Sequence, residues 1–236
     1  GRFQSTSLGG AIVNREYLAK KKWKKGSTVA IQGFGNVGSN LARILSAWGY
    51  NVVAVSDSQG GIYNPKGLDI EAIEEHKMSS GRVSGFQGSK DITNEGLLEL
   101  PVDILVPAAL ENAIHKDNAD RIKAKLVVEL ANAPITPEGD IILAKYRIPV
   151  IPDILANAGG VLVSYFEWIQ NLTQDYWPEK KVTERLEHKM IQSFEDVLVR
   201  QSDTKLSMRE AAYLLAVERI AEAEELRGNL SIKTEK

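Results

Sequence analysis

The six residues Gly33–Gly38, with the sequence GFGNVG, constrain the fold of this chain more than any other feature. The apolar run at residues 28–32 precedes them and indicates a buried strand that leads into the first glycine. Residues 36–48 then carry apolar side chains at helical spacing. A second apolar run, residues 52–56, ends at Asp57, nineteen positions after the last glycine. This order of strand, glycine turn, helix, strand and acid predicts a dinucleotide-binding βαβ unit.

Each glycine of the turn has a different physical role. Gly33 allows the tight turn, Gly35 lets the backbone approach a pyrophosphate, and Gly38 lets the helix pack closely on the strands. The N–H groups at the helix N-terminus and the helix dipole attract phosphate. We therefore expect Gly33, Phe34, Gly35, Asn36, Val37 and Gly38 to form part of the cofactor-binding site. Asp57, with Ser58 beside it, is expected to accept hydrogen bonds from the adenosine ribose. The alternative is a glycine turn in some other α/β protein, with Asp57 merely ending a strand.

The rest of the chain alternates between apolar runs and helical patterns. Further buried strands are predicted at residues 103–107, 126–130 and 150–152, and helices at about 116–124 and 137–147. Nearly continuous apolar strands are typical of strands buried on both faces. The fold class is therefore α/β, with a doubly wound, mostly parallel, Rossmann-like sheet over about residues 7–153.

Helical patterns flank this predicted core on both sides. A helix is expected over residues 7–25 with Thr6 or Ser7 as its N-cap, and another over residues 68–78. Residues 60–65 are turn-rich and compatible with a short hairpin, whereas residues 79–94 are interpreted as a polar surface segment. Beyond about residue 154 we expect three long C-terminal helices, extending to about 228. They cover residues 154–174, a segment beginning near Pro178 with an apolar stripe, and a segment opened by a capping box at Ser207.

Composition excludes several classes of site. The chain has 236 residues, no cysteine and a net charge of −2, so thiolate metal sites and a broadly basic nucleic-acid surface are not expected. The basic run at residues 20–25 is explained by cations at a helix C-terminus, with phosphate binding as the alternative. We expect no membrane-spanning segment, and a cytoplasmic protein.

Small and amide side chains follow the predicted parallel strands. Ala108 and Ala109 follow the third strand, Asn132 the fourth and Asn157 the fifth. Because ligands bind beyond the carboxyl ends of such strands, these residues are candidates for cofactor contacts. The alternative is that both asparagines simply cap loops. The three histidines, at 76, 115 and 188, are interpreted as surface residues, and neither a catalytic acid or base nor a metal site is evident.

Several segments resemble the cofactor-binding half of hexameric glutamate dehydrogenase, in its archaeal and bacterial forms. The similarity covers essentially the whole chain. It is carried by residues 1–6 (GRFQST), 33–38 (GFGNVG), 53–58 with 61–64, 152–161 (PDILANAGGV), 163–168 (VSYFEW) and 209–213 (REAAY). One departure is visible, since the family commonly has glycines where this chain has Leu130 and Ala133.

The resemblance implies oxidative deamination of L-glutamate to 2-oxoglutarate and ammonia, within a homohexamer. The family's catalytic lysine and aspartate lie in an N-terminal substrate domain whose motifs are absent here, so no catalytic residue is expected in this chain. By the same resemblance, Thr6 contacts the nicotinamide carboxamide, Asn36 contacts the cofactor backbone and Ser164 contacts the substrate's side-chain carboxylate. Without it, Thr6 would be interpreted as a helix cap and Ser164 as an ordinary helical serine.

The loop after the second strand bears on the choice of cofactor. An ionised Asp57 repels a 2′-phosphate, and residues 58–61 contain no cation to neutralise one. NAD is therefore expected in preference to NADP, although Lys66 or a basic residue from elsewhere would reverse this. Two other functions remain open: a leucine- or phenylalanine-type amino-acid dehydrogenase, and a non-catalytic NAD-binding module.

Overall fold

A computed structural model of the chain describes residues 2–23 and 26–229. Lys24 and Lys25 of the basic run, and Gly1 of the opening motif, lie outside the described residues. The strands are β1 (Thr28–Gln32), β2 (Asn51–Asp57), β3 (Gly60–Tyr63), β4 (Lys90–Ile92), β5 (Ile104–Pro107), β6 (Leu126–Val128) and β7 (Val150–Ile151). The helices are α1 (Arg2–Lys20), α2 (Asn36–Ala47), α3 (Ile70–Ser80), α4 (Asn94–Leu98), α5 (Pro137–Lys145), α6 (Asp153–Ala156), α7 (Gly159–Thr173), α8 (Glu179–Thr204) and α9 (Met208–Leu226).

The seven strands of the described residues form one sheet in the order β4-β3-β2-β1-β5-β6-β7. The pairs from β2 through β1, β5 and β6 to β7 are parallel, whereas β3 and β4 add antiparallel strands at one edge. The predicted doubly wound, mostly parallel sheet is confirmed, and the turn after β2 is a hairpin. The surface interpretation of residues 79–94 missed β4, because this short edge strand has no fully buried residue and so no apolar signal.

The sheet is buried on both faces because successive side chains of its central strands alternate between two clusters. Ile31 of β1 belongs to the larger cluster with the buried residues of α1, α2 and the C-terminal helices. Ala30, its neighbour, belongs to the smaller cluster with residues of α4 and α5. Layers of helices on both faces explain why the strands read as continuous apolar runs.

The predicted start of the first helix was wrong. Helix α1 begins at Arg2, so Thr6 and Ser7 lie inside it and neither is its N-cap. The hydroxyl of Ser7 instead donates to the carbonyl of Val37 on α2, at 2.8 Å. This tertiary contact ties α1 to the start of α2 and uses the serine that sequence alone assigned to a cap.

Two other helices differ in extent from those that the sequence predicted. Only Ala119–Arg121 within residues 116–124 is helical, as a single 3-10 turn. The side chain of Asn118 accepts from His115 N–H and donates to the carbonyl of Ala113, which replaces helical hydrogen bonding there. The helix expected over residues 154–174 is broken into α6 and α7, with Asn157 as the C-cap of α6.

The two last helices match expectation. Leu186, Met190, Phe194 and Val197 form the buried stripe of α8, and Pro178 is its N-cap residue. Ser207 and Glu210 form the predicted reciprocal capping box of α9. Within the part of the chain that the structure describes, no helix combines the length and apolarity needed to cross a membrane.

Candidate functional site

A hollow of about 660 Å³ opens at the carboxyl ends of β1, β6 and β7. Six residues proposed from the sequence line it, although they come from five separate segments of the chain. The lining consists of Thr6, Asn36, Val37, Leu130, Asn132, Asn157, Gly160, Val161 and Ser164. The parallel sheet explains this convergence, because the loops after neighbouring strands all leave from the same edge. We call this space the strand-end hollow.

The glycine turn lies beside the hollow and has the geometry that its spacing predicts. Gly33 has φ +101°, and a Cβ built there would lie 2.8 Å from the Cβ of Ala109. A Cβ on Gly38 would lie 1.7 Å from the carbonyl oxygen of Gly33, so this position excludes any side chain. Gly35, the N-cap of α2, has φ −92°, and a Cβ there would meet only open space. The fold therefore requires Gly33 and Gly38, whereas Gly35 keeps a surface open.

Helices α1 and α7 approach so closely that only glycine fits between them. A Cβ on Gly159 would lie 2.2 Å from the carbonyl oxygen of Ser5, and one on Gly160 would lie 2.4 Å from Oγ1 of Thr6. This contact places the Thr6 hydroxyl at the hollow. On the same helix, the hydroxyl of Ser164 donates to the carbonyl of Gly160 at 3.0 Å. To donate to a ligand, the Ser164 hydroxyl must rotate away from that carbonyl.

The two predicted asparagines meet at the hollow. Nδ2 of Asn157 donates to Oδ1 of Asn132 at 2.7 Å. A side-chain amide has two donor hydrogens and an acceptor oxygen, so the pair retains both donor and acceptor capacity toward a ligand. This bond is compatible with both interpretations of the asparagines. It joins the two loops, as the loop-cap alternative requires, and both residues also line the hollow, as cofactor contact requires.

Ala133, which follows Asn132, has φ +44°. This is the left-handed region that glycine adopts more readily than any residue with a side chain. The glycine that the resembled family commonly has at this position would adopt the same left-handed conformation without strain. The carboxylate of Asp153 accepts a hydrogen bond from the N–H of Ala133 at 2.8 Å and stabilises this conformation.

Asp57 ends β2, as predicted, but its carboxylate already has partners. Oδ1 accepts from the N–H of Gln59 at 2.9 Å, and Oδ2 accepts from the N–H of Val83 at 2.9 Å. Nζ of Lys77, on α3, lies 3.2 Å from Oδ2 and also donates to the carbonyl of Phe34 at 2.8 Å. A cation from another segment therefore adjoins the cation-free loop, and sequence reasoning did not place Lys77 there.

The remaining candidates lie around the glycine turn and not in the hollow. Ala108 donates its N–H to the carbonyl of Gln32 at 2.8 Å, and Ala109 packs against Gly33. Ser58 lines a more open hollow of about 570 Å³ between the β2–β3 turn and the segment around β4. The candidates thus fall into two groups, one that lines the strand-end hollow and one at the glycine turn and the β2–β3 turn.

Three lining residues were missed from the sequence, namely Leu130, Gly160 and Val161. Small or apolar side chains carry no polar signal that could have identified them. None of the nine described lining residues has an ionisable side chain. Within residues 2–23 and 26–229 there is also no group of three histidine or acidic side chains placed to hold a metal ion.

Several glutamate dehydrogenases are similar in sequence to most of this chain. The glutamate dehydrogenase of Thermotoga maritima is 55% identical over 205 residues, which are 86% of this chain and 49% of that protein. An NAD-specific glutamate dehydrogenase of Bacillus subtilis is 46% identical over 97% of this chain and 53% of its own length. An NADP-specific glutamate dehydrogenase of Synechocystis is 44% identical over 97% of this chain and 56% of its own length. The chain thus spans about half the length of the curated relatives it matches.

A solved structure and a family sequence model show the same similarity. A crystal structure of the hetero-hexameric glutamate dehydrogenase of Thermus thermophilus, in a leucine-bound form, superposes with a TM-score of 0.91 at 34% identity. The match covers 98% of this chain and 55% of that one. A sequence model of the glutamate/leucine/phenylalanine/valine dehydrogenases matches residues 1–228. The chain belongs to the glutamate/leucine/phenylalanine/valine dehydrogenase family.

Proposed function

We propose that this chain is the cofactor-binding portion of an NAD(P)-dependent glutamate dehydrogenase, which converts L-glutamate to 2-oxoglutarate and ammonia. One observation carries the proposal: Thr6, Asn36, the Asn132–Asn157 pair and Ser164 line a single hollow beside the glycine turn. Relatives named as glutamate dehydrogenases support it.

The residues present fit a dinucleotide. The open surface at Gly35 adjoins the N-terminus of α2, where helix N–H groups and the helix dipole favour phosphate. In this arrangement the first turn of α2 binds the pyrophosphate, and the hollow receives the nicotinamide end. Thr6 and the asparagine pair orient its carboxamide and ribose by hydrogen bonds. The bound cofactor supplies the hydride acceptor for the substrate Cα.

Ser164 points to an acidic substrate. Its hydroxyl is on the hollow and is a donor for the side-chain carboxylate of glutamate, whereas leucine or phenylalanine would gain no hydrogen bond from it. This is why we favour glutamate over the apolar amino acids that other members of the family use. Because the lining contains only hydroxyl, amide and apolar groups, the general base and the clamp for the α-carboxylate are assigned to a substrate domain outside this chain.

The proposed cofactor is NAD, with NADP as a weaker ligand. The carboxylate of Asp57 disfavours the 2′-phosphate that NADP carries on its adenosine ribose. Lys77 reduces that repulsion, since its ammonium lies 3.2 Å from the same carboxylate. We therefore expect a modest preference for NAD. Relatives of both NAD- and NADP-specific kinds are compatible with a balance that depends on a few charges.

In the complete enzyme we propose a homohexamer in the cytoplasm. Exposed apolar side chains support association: Val161, Tyr165, Trp168 and Leu172 form a stripe along α7, and Tyr213, Val217 and Ile220 form another along α9. Contiguous apolar surface of this kind is typical of contact surfaces. The similar Thermus thermophilus enzyme is itself hexameric.

The test measures binding and turnover on the same purified chain. Titration calorimetry is expected to show NAD binding, and glutamate-dependent NADH formation is expected to be absent, because a positioned general base supplies much of the rate. The full-length enzyme should then oxidise glutamate in preference to leucine and phenylalanine. Failure of the folded chain to bind either dinucleotide would overturn the proposal, and turnover by the chain alone would show that it contains a catalytic group.

A further inference from the structure

We propose that Asp153 is a positioning residue for the Asn132–Asn157 pair, and that Arg209 of α9 holds it in place through Glu129. The proposal rests on the proposed function in one respect, namely that the asparagine pair contacts the cofactor. A polar residue at the start of a helix is usually explained as an N-terminal cap. Here the side chain of Asp153 reaches beyond its own helix, to the N–H of Ala133 next to Asn132 and to Arg209 of α9.

The anchor of this arrangement is a buried ion pair between α9 and the end of β6. Nη1 and Nη2 of Arg209 donate to the two carboxylate oxygens of Glu129, at 2.9 and 2.8 Å. Nε of Arg209 donates to Asp140 at 2.8 Å, and Nη1 lies 3.6 Å from Oδ1 of Asp153. The Glu129 side chain is 0% exposed and that of Arg209 is 20% exposed. A bidentate pair with this burial is geometrically specific and fixes the carboxylate of Glu129.

The opposite charges of Glu129 and Arg209 influence each other's pKa values. Burial raises the pKa of the Glu129 carboxyl, and the guanidinium of Arg209 opposes that effect. Burial lowers the pKa of Arg209, but its hydrogen bonds to Glu129 and Asp140 outweigh this and raise the pKa above its ordinary value. Glu129 therefore depends on Arg209, because removing the guanidinium would leave a fully buried carboxylate uncompensated in the protein interior.

Glu129 also binds the backbone of Asp153. Its Oε2 accepts a hydrogen bond from the backbone N–H of Asp153 at 2.8 Å. Oδ1 of Asp153 accepts from the next N–H, that of Ile154, at 2.8 Å, a contact within the first turn of α6, whose N-cap is Pro152. Oδ2 reaches across to a different segment and accepts from the N–H of Ala133 at 2.8 Å. This second bond joins α6 to the loop after β6, which a contact within the helix would not do.

The side chain of Asp153 is linked to Asn132 through Ala133, and its backbone carbonyl is bonded to Asn157. Asn132 precedes Ala133, whose φ of +44° is left-handed, and the bond from the Ala133 N–H to Asp153 holds the peptide group that joins the two residues. Backbone strain of this kind costs about 1–3 kcal/mol and persists only where neighbouring contacts maintain it. On the other side, the backbone N–H of Asn157 donates to the carbonyl of Asp153 at 2.9 Å. The bond between the two side-chain amides then closes the arrangement at 2.7 Å.

The test compares Asp153→Ala with a rescue variant and a matched control. Asp153→Ala is expected to weaken NAD binding about tenfold, because Ala133 loses the contact that offsets its strain. Adding Ala133→Gly is expected to recover at least half of that loss on a logarithmic scale, since glycine adopts the left-handed region without help. The control is Asp103→Ala, which removes a carboxylate that likewise accepts a backbone N–H, from Thr28 at 2.8 Å, at the opposite end of the strands. It should leave NAD affinity unchanged.

A second readout needs no cofactor. Hydrogen exchange of the Ala133 amide in the unliganded chain should accelerate about tenfold in Asp153→Ala and in Arg209→Lys, and should not change in Asp103→Ala. Unchanged exchange in Asp153→Ala would overturn the inference, as would unchanged NAD affinity in a folded Asp153→Ala or a failure of Ala133→Gly to rescue it. If the unmodified chain binds no dinucleotide, the proposed function fails, and accelerated exchange would then establish only the contact and not its role in binding.

Discussion

Replacing Gly35 separates the demands of the fold from those of the ligand. In the structure a Cβ at this position meets nothing within 4 Å, and φ is −92°, a value that every L-residue adopts easily. Gly35→Val should therefore fold. Its stability cost is that of a poorer N-cap residue, roughly 1 kcal/mol.

The effect on the ligand should be larger. A branched side chain over the first turn of α2 occupies the surface that a pyrophosphate must approach to reach the helix N–H groups. We expect NAD binding to weaken at least about tenfold, which corresponds to about 1.4 kcal/mol. Gly35→Ala should give a smaller loss, because its single methyl group excludes less of the phosphate.

Gly38→Ala provides the contrast, because its Cβ would lie 1.7 Å from the carbonyl oxygen of Gly33. Such an overlap forces the backbone to move, and overpacking typically costs about 1–3 kcal/mol or more of folding stability. Titration calorimetry and thermal unfolding on all three variants would distinguish the two effects. Unchanged NAD affinity in a folded Gly35→Val protein would refute the placement of the pyrophosphate at α2.

Three further results are expected. Replacing Asp57 with serine and Gln59 with lysine should shift the ratio of NADP to NAD affinity upward about tenfold; an unmodified chain that already prefers NADP would contradict our interpretation of this loop. In the full-length enzyme, Ser164→Ala should lower kcat/KM for glutamate roughly 10- to 150-fold with unchanged NAD affinity. Thr173→Ala, which removes a similar bond from a hydroxyl to a carbonyl on α7, should change neither value. Burial raises the pKa of Asp103, but hydrogen bonds from Lys125 and Thr28 bring it below 3.8. Its contribution to stability is thus complete above pH 3.8 and is lost as pH falls through the lower, folded-state pKa, so thermal unfolding of Asp103→Asn should depend less steeply on pH in that range.

Short-range signals were sufficient for the central elements of the fold. The apolar runs and the glycine spacing predicted β1, α2 and β2 in order, and the serine and glutamate of the capping box predicted the start of α9. These signals act within a few residues of the chain, since a strand needs only an apolar run and a cap needs only the adjacent turn. Some segments were predicted wrongly because a distant or side-chain contact overrides local preference, as at Ser7, whose partner is thirty residues away. Strand β4 was missed for another reason, since it carries no apolar signal.

The candidate site shows the same division. Asn36, Asn132 and Asn157 were identified from the sequence because each follows a predicted strand, and parallel strands deliver such residues to one edge. Thr6 and Ser164 were identified only through the resemblance to the family. Which of them meet was not predictable. Asn132 and Asn157 are 25 residues apart, and Lys77 reaches a carbonyl 43 residues away.

The amino-acid sequence by itself determined the class of fold, the turn that suits a dinucleotide and the family to which the chain belongs. Only the tertiary structure decided that α1 starts at Arg2, that Lys77 pairs with Asp57, and that Arg209 pairs with Glu129 across 80 residues. The physical reason is one of range. Local patterns specify elements through hydrogen bonds and burial along one segment, whereas pairings between segments depend on how all the elements pack together.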